Sequence, residues 1–177
     1  MTIEELDPTR LDALRAFFAE LPEGDLTFIK EDVRDPATVE GWTRPGGRVR
    51  RWTAAGDDGR IAGFVSLAPL LGWSSHVGEL RLVVGPAHRG HRVGRALARF
   101  ALMRALELGL RKVVVEVVAE QQAAIALFGN LGFRGEALLS DHIRDHDGRL
   151  RDLLVLAHDA EDQWSAMSAV GVADEVA

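Results

Sequence analysis

The stretch that most constrains the fold runs from Gly78 to Leu108 and reads GELRLVVGPAHRGHRVGRALARFALMRALEL. Its opening is strand-like, with Leu80, Leu82, Val83 and Val84 apolar, and a Gly85-Pro86 turn leads into a basic loop containing Gly90 and Gly94. A long helical pattern follows, with Leu97, Phe100, Ala101 and Met103 on or near one face and Arg92, Arg95 and Arg99 on another. Gly109 is placed as a left-handed helix stop, and Lys112 to Val118 is β-branched enough to form another strand. Strand, helix and strand in that order predict one crossover unit. The loop also predicts an anion site. The first N–H groups of a helix have no intrahelical partner, and the helix dipole adds about half a positive charge there. Gly90 and Gly94 carry no Cβ, so a phosphate can approach the backbone itself.

The remaining elements follow from local patterns. Met1 to Glu4 reads as a short strand, and Asp7 to Leu21 as a helix with Leu11, Leu14, Phe17 and Phe18 at helical spacing. An irregular or shortly helical segment follows, with a turn of helix from Pro36 to Trp42. It carries Glu23, Asp25, Glu31, Asp32 and Asp35. These acids are expected either to form a solvated face or to favour cationic partners. Arg48 to Ala55 and Ile61 to Leu70 form a hairpin around Asp57-Asp58-Gly59. Gln121 to Leu131 is a second amphipathic helix. Ala137 to Arg144 and Arg149 to Ala157 form another hairpin, turning at Asp145-His146-Asp147-Gly148. A weak helix is expected around Trp164 and Met167 in a tail from residue 159 to 177.

Composition narrows the function classes. The absence of cysteine excludes disulfides and thiolate chemistry, and a net charge of −6 argues against nucleic-acid binding. Met1 leads into polar sequence without a signal-peptide pattern, and no apolar run approaches about 18 residues, so a cytoplasmic location with no membrane partner is expected. His88, His91, His142 and His146 lie in or near turns and are expected at the surface, with no metal site.

Arg89-Gly90-His91-Arg92-Val93-Gly94 resembles the acyl-CoA loop of the GNAT N-acetyltransferases, whose pattern is Arg or Gln, two residues, Gly, one residue, then Gly or Ala. Arg92 stands where that pattern has its first glycine. The preceding LVVGPAHRG resembles the family's fourth strand and its proline turn. VEVVAEQQAAIALFGNLGF resembles its next strand and helix, with Gln121 at the Asn position and Phe128 where Tyr is usual. The likeness covers about residues 1 to 158 and is specific from Glu79 to Phe133. It implies one α/β (α+β) domain: a mixed sheet of six or seven strands, splayed between strands 4 and 5, with helices on both faces.

The resemblance also implies acetyl-CoA as cosubstrate and no metal. Leu82, Val83 and Val84 would pair with the pantetheine arm, and one backbone N–H of that strand would serve the thioester oxygen. Backbone N–H groups of Arg89, Gly90, His91, Arg92, Val93, Gly94 and Arg95 would hold the pyrophosphate, with Gln121 and Phe128 beside the cofactor. A bulky residue at Gly94 is expected to block that site without disturbing the fold. The acceptor would be a primary amine, either a protein lysine or a small cationic amine. The strand-four pattern lies nearest the protein-lysine branch, and a homodimer is compatible with this reading. An alkylammonium has a pKa of about 10.4, so acyl transfer calls for a base. Glu79, opening an apolar strand, is the first candidate, with burial expected to raise its pKa towards neutrality. Glu116 is the second. Phe128 cannot donate a proton to the leaving thiolate, which leaves a second reading open: an acyl-CoA-binding sensor without catalysis.

Overall fold

A computed structural model describes residues 1–26 and 29–159. The tail expected to be helical around Trp164 and Met167 lies outside the described residues. Seven strands form one sheet among the described residues: β1 (Thr2–Glu5), β2 (Arg50–Ala55), β3 (Ile61–Pro69), β4 (Val77–Val84), β5 (Lys112–Val118), β6 (Arg134–Arg144) and β7 (Leu150–Asp159). The helices are α1 (Leu11–Ala19), α2 (Glu23–Leu26), α3 (Pro36–Trp42), α4 (Val93–Glu107) and α5 (Gln122–Gly129).

The strand order is β1-β2-β3-β4-β5-β7-β6, and β4–β5 is its parallel neighbour pair. Hairpins give the antiparallel pairs β2–β3, β3–β4 and β6–β7 cheaply, whereas the parallel pair needs a crossover, here supplied by α4. Gly109 ends that crossover helix at φ 74°, the left-handed stop that the sequence predicts.

Side-chain alternation divides the sheet into two faces. Leu97, Ala98, Ala101 and Ala105 of α4 pack with Val65, Leu67, Leu80 and Val113 in one core, to which Phe128 of α5 also belongs. On the other face Leu14, Phe17 and Phe18 of α1 pack with Val39 of α3 and Phe64 of β3. The three alanines bring α4 close to the strands. At Gly63 a Cβ would sit 2.7 Å from Leu97 and 3.1 Å from the Val83 carbonyl oxygen.

Two expected elements differ from those observed. The helix predicted from Asp7 begins as a 3-10 turn at Pro8–Arg10, because the Asp7 carboxylate accepts the Thr9 N–H at 2.7 Å and holds a separate capped turn ahead of α1. The strand predicted from Ala137 starts at Arg134 and runs to Arg144 through two irregularities, between Gly135 and Ala137 and between Leu139 and Ile143. Asp141 takes φ 55° within the second, and its N–H donates to Asp152 at 2.9 Å. Such bulges lengthen a strand without preserving the alternation by which a sequence reveals it.

Candidate active site

The pairing of β4 with β5 stops early. Their last rung sets Glu79 opposite Val114, beyond which the two strands diverge, while β3 stays paired with β4 as far as Val84. Gly85 donates to Ala62 and Leu70 donates to Val77, which fixes the alternation of hydrogen bonds along β4. By that alternation the peptide groups of Leu82 and Val84 face the gap, whereas those of Val83 pair with Phe64. This corrects the expectation for Val83, which sequence cannot resolve because all three residues are apolar. The Val83 side chain belongs to the α1 core, and those of Leu82 and Val84 pack on the α4 side.

The divergence opens a cleft of about 900 Å³ that passes between the strands and reaches both faces of the sheet. On the α4 side its walls include Leu82, Val84, Leu127 and Phe128, with the loop Arg89–Gly90 and the start of α4 at one end. Gln121, Arg92, Val93, Gly94 and Arg95 also line it, whereas His91 is exposed and outside the lining. No side chain caps α4, so its first N–H groups remain available at the cleft. Arg92 precedes them with φ 62°, which costs a side-chain-bearing residue about 1–2 kcal/mol and suits the glycine of the family pattern.

The Arg89 side chain has partners of its own within the chain. Its Nε donates to the Val84 carbonyl at 3.2 Å and its guanidinium pairs with Asp25, so its side chain ties the α2 segment to the end of β4. Gly94 also departs from expectation. A Cβ there would meet Val84 and Leu127 side-chain atoms at 3.3 Å, so a bulky residue would disturb the packing of α4 as well as the cleft. Phe128 is buried, and its ring meets Phe133 edge to face at 5.1 Å between centroids.

On the opposite face the cleft is ionic. Glu79 is 14 % exposed and accepts hydrogen bonds from Lys30 Nζ at 2.8 Å and Arg81 Nε at 3.0 Å. Lys30 Nζ also lies 2.5 Å from a Glu116 carboxylate oxygen, and Arg81 pairs in addition with Glu31. Glu79 and Glu116, first and second choices from the sequence, thus stand on the same face of neighbouring strands with one ammonium between them. Beside them Trp42 stacks on Phe64 at 5.3 Å, and the Arg51 guanidinium lies 5.2 Å above Trp42.

The expected rise in the Glu79 pKa is overturned. Burial does push it upward, but hydrogen bonds and charge from Arg81 and Lys30 outweigh burial and hold it below its ordinary 4.5. Arg81 had a sequence signal, since residues two apart on a strand share a face. Lys30 had none, because it comes from an irregular segment 49 positions away. The acids around it are also largely engaged: Asp25 with Arg89, Glu31 with Arg81, Glu23 with Arg34, and Asp35 as the cap of α3.

This ionic arrangement makes acid stability testable. A carboxylate whose folded pKa is depressed stabilises the fold above its unfolded value and loses that contribution as pH falls through the folded one. Thermal unfolding of the wild type below pH 4.5 should therefore decline more steeply with acid than that of Glu79→Gln. Parallel profiles would show that the ion pairs at Glu79 contribute nothing.

The model of the acetyltransferase (GNAT) family matches residues 12–133. The chain belongs to that family. An uncharacterized N-acetyltransferase, YjgM of Escherichia coli, is 36% identical over 77 residues, covering 43% of this GNAT chain and 46% of the relative. A mycothiol acetyltransferase of Catenulispora acidiphila is 32% identical over 124 residues, covering 67% and 37%. The match thus spans less than half the length of either relative. In fold, this GNAT chain is similar to a ribosomal-protein-alanine N-acetyltransferase from Brucella melitensis, with a TM-score of 0.79 at 24% identity over 90% of this chain and 99% of that one. No described helix is long and apolar enough to cross a membrane.

Proposed function

We propose that the protein transfers an acetyl group from acetyl-CoA to a primary amine, with Glu79 as general base. The observation that carries this reading is the cleft itself, which joins an uncapped, basic helix start on one face to a carboxylate on the other. The residues suit the cosubstrate. A Cβ at Gly90 would meet nothing within 4 Å, so a phosphate has room beside that loop. The first amides of α4, with the exposed Arg92 and Arg95, would hold the pyrophosphate. Leu82 and Val84 would pair with the pantetheine arm along the edge of β4 that faces the gap. Bound there, acetyl-CoA supplies a thioester carbonyl, and amine attack on it forms a C–N bond as the C–S bond breaks.

Glu79 removes the proton that the acceptor must lose. At neutral pH its depressed pKa keeps it ionised, and its position on the last β4–β5 rung sets it at the mouth of the gap. Trp42 offers an apolar wall on the same side, suited to the alkyl portion of a lysine or a small aliphatic amine. Phe128 acts by packing against Phe133, and departure of the thiol, with a pKa of about 8.5, does not depend on a phenol. Phe128→Leu should therefore lose less than the roughly 10²–10⁴ expected on removing a general acid. Steady-state kinetics showing a loss at the upper end, with acetyl-CoA affinity intact, would give the ring a chemical role.

A second reading, an acyl-CoA-binding sensor, is favoured by one observation: the chain has no tyrosine to serve as the acid. Thiol release measured with acetyl-CoA and a panel of primary amines decides between them. The transferase releases CoA in an amine-dependent way. A sensor binds CoA in calorimetry and gives no such turnover.

A further inference from the structure

We infer that Lys30 is a specificity-determining residue that occupies the acceptor's place: its ammonium fills the position between Glu79 and Glu116 into which the acceptor's own ammonium must move. This inference rests on the transferase reading above. Its first support is chemical identity. Lys30 presents a primary ammonium, the group that an alkyl amine carries at neutral pH, and it lies 2.8 Å from Glu79 and 2.5 Å from Glu116. An amine that gives its proton directly to Glu79 comes within hydrogen-bond reach of that same carboxylate. Acceptor and Lys30 therefore compete for the same carboxylate.

The second support is that the two carboxylates and their cation are built from different parts of the chain. Glu79 and Glu116 belong to the sheet, Glu79 on β4 paired with Ala68 of β3 and Glu116 on β5 paired with Val155 of β7, so the backbone of each is held by its own neighbouring strand. Lys30 comes from the segment between α2 and α3, and its side chain is 47 % exposed. A rigid pair of anions with a half-exposed, loop-borne cation is an arrangement in which the cation yields and the anions stay. Arg81 differs in this respect. It stands on β4 itself, is held by Glu31 as well as Glu79, and remains when Lys30 leaves. Displacement then leaves Glu79 with one guanidinium and the incoming ammonium, and Glu116 with the ammonium alone.

Selectivity follows from the competition. A protonated amine replaces the Lys30 ammonium with like charge and like hydrogen bonds, whereas a neutral alcohol of the same shape offers no charge in return. The tethered lysine thereby tunes acceptor affinity and excludes uncharged molecules.

The test compares wild type, Lys30→Gln and Lys30→Arg in the thiol-release assay, with spermidine, 1,5-diaminopentane and a lysine-containing peptide as acceptors. Removing the internal competitor should lower the amine KM roughly fivefold, on the scale of a half-exposed ion pair, with kcat changed by less than about twofold. Lys30→Arg restores a cation and should return KM to about the wild-type value. A KM that rises or stays unchanged in Lys30→Gln would make Lys30 a structural clamp or a spectator and overturn the inference. Wild-type protein that releases no thiol with any of the three amines would instead overturn the transferase reading and this inference with it.

Discussion

Glu79→Gln should reduce kcat by roughly 10²–10⁴ near pH 7 and leave acetyl-CoA affinity almost unchanged, because it removes a proton acceptor while keeping the side chain's shape. The ionic surroundings set how the rate should depend on pH. Burial alone would raise the Glu79 pKa, but Arg81 and Lys30 outweigh it and hold the carboxylate below its ordinary value. The wild-type rate should accordingly show no Glu79 limb near pH 7, and should climb as the acceptor amine approaches its own pKa of about 10.4. The mutant should recover part of its loss over the same climb, since a neutral amine no longer needs the carboxylate. Glu116→Gln is the control. Glu116 holds Lys30 from β5 and should alter amine KM more than kcat. Wild-type kcat in Glu79→Gln would remove Glu79 from the mechanism and transfer the base role to Glu116.

The second large effect is expected at the other end of the cleft. Reversing both exposed cations at the start of α4, Arg92→Glu with Arg95→Glu, should weaken acetyl-CoA binding by roughly 100-fold or more at low salt, since hydrogen bonds to charged groups are worth about 1.5–3 kcal/mol each. The added negative charge also opposes the helix dipole's attraction for phosphate. Both side chains lie in solvent, so the unliganded protein should unfold near its wild-type temperature while the stabilisation by acetyl-CoA collapses. Calorimetry gives the affinity and thermal unfolding gives the ligand-induced shift. Unchanged values for both would place the pyrophosphate elsewhere. Gly94 is a poorer probe of the same site, since a Cβ there would press on the Val84 and Leu127 side chains at 3.3 Å as well as on the ligand.

How much was legible in the sequence depended on the range of the interaction concerned. Helix α3 has its expected bounds because Asp35 caps it from within four residues and Pro36 sets its first turn. Strand β5 matches because a run of valines has one local solution, and α4 ends at Gly109 because a left-handed residue stops a helix wherever it occurs. The loop ahead of α4 was readable for the same reason, since Gly90 takes φ 78° where the sequence places a glycine turn.

What the sequence by itself determined is therefore the order of elements, the crossover at its centre and two strand carboxylates on which to look for a base. Only the tertiary structure decided what surrounds them. It ended the β4–β5 pairing at Glu79, turned the peptide groups of Leu82 and Val84 into the gap while assigning those of Val83 to β3, and brought Lys30 between Glu79 and Glu116. The reversal in the Glu79 pKa has that origin. Desolvation can be anticipated from an apolar strand, but the charges that overcome it include an ammonium delivered from 49 positions away. Electrostatic energy depends on distance through space, and distance along the chain does not contain it.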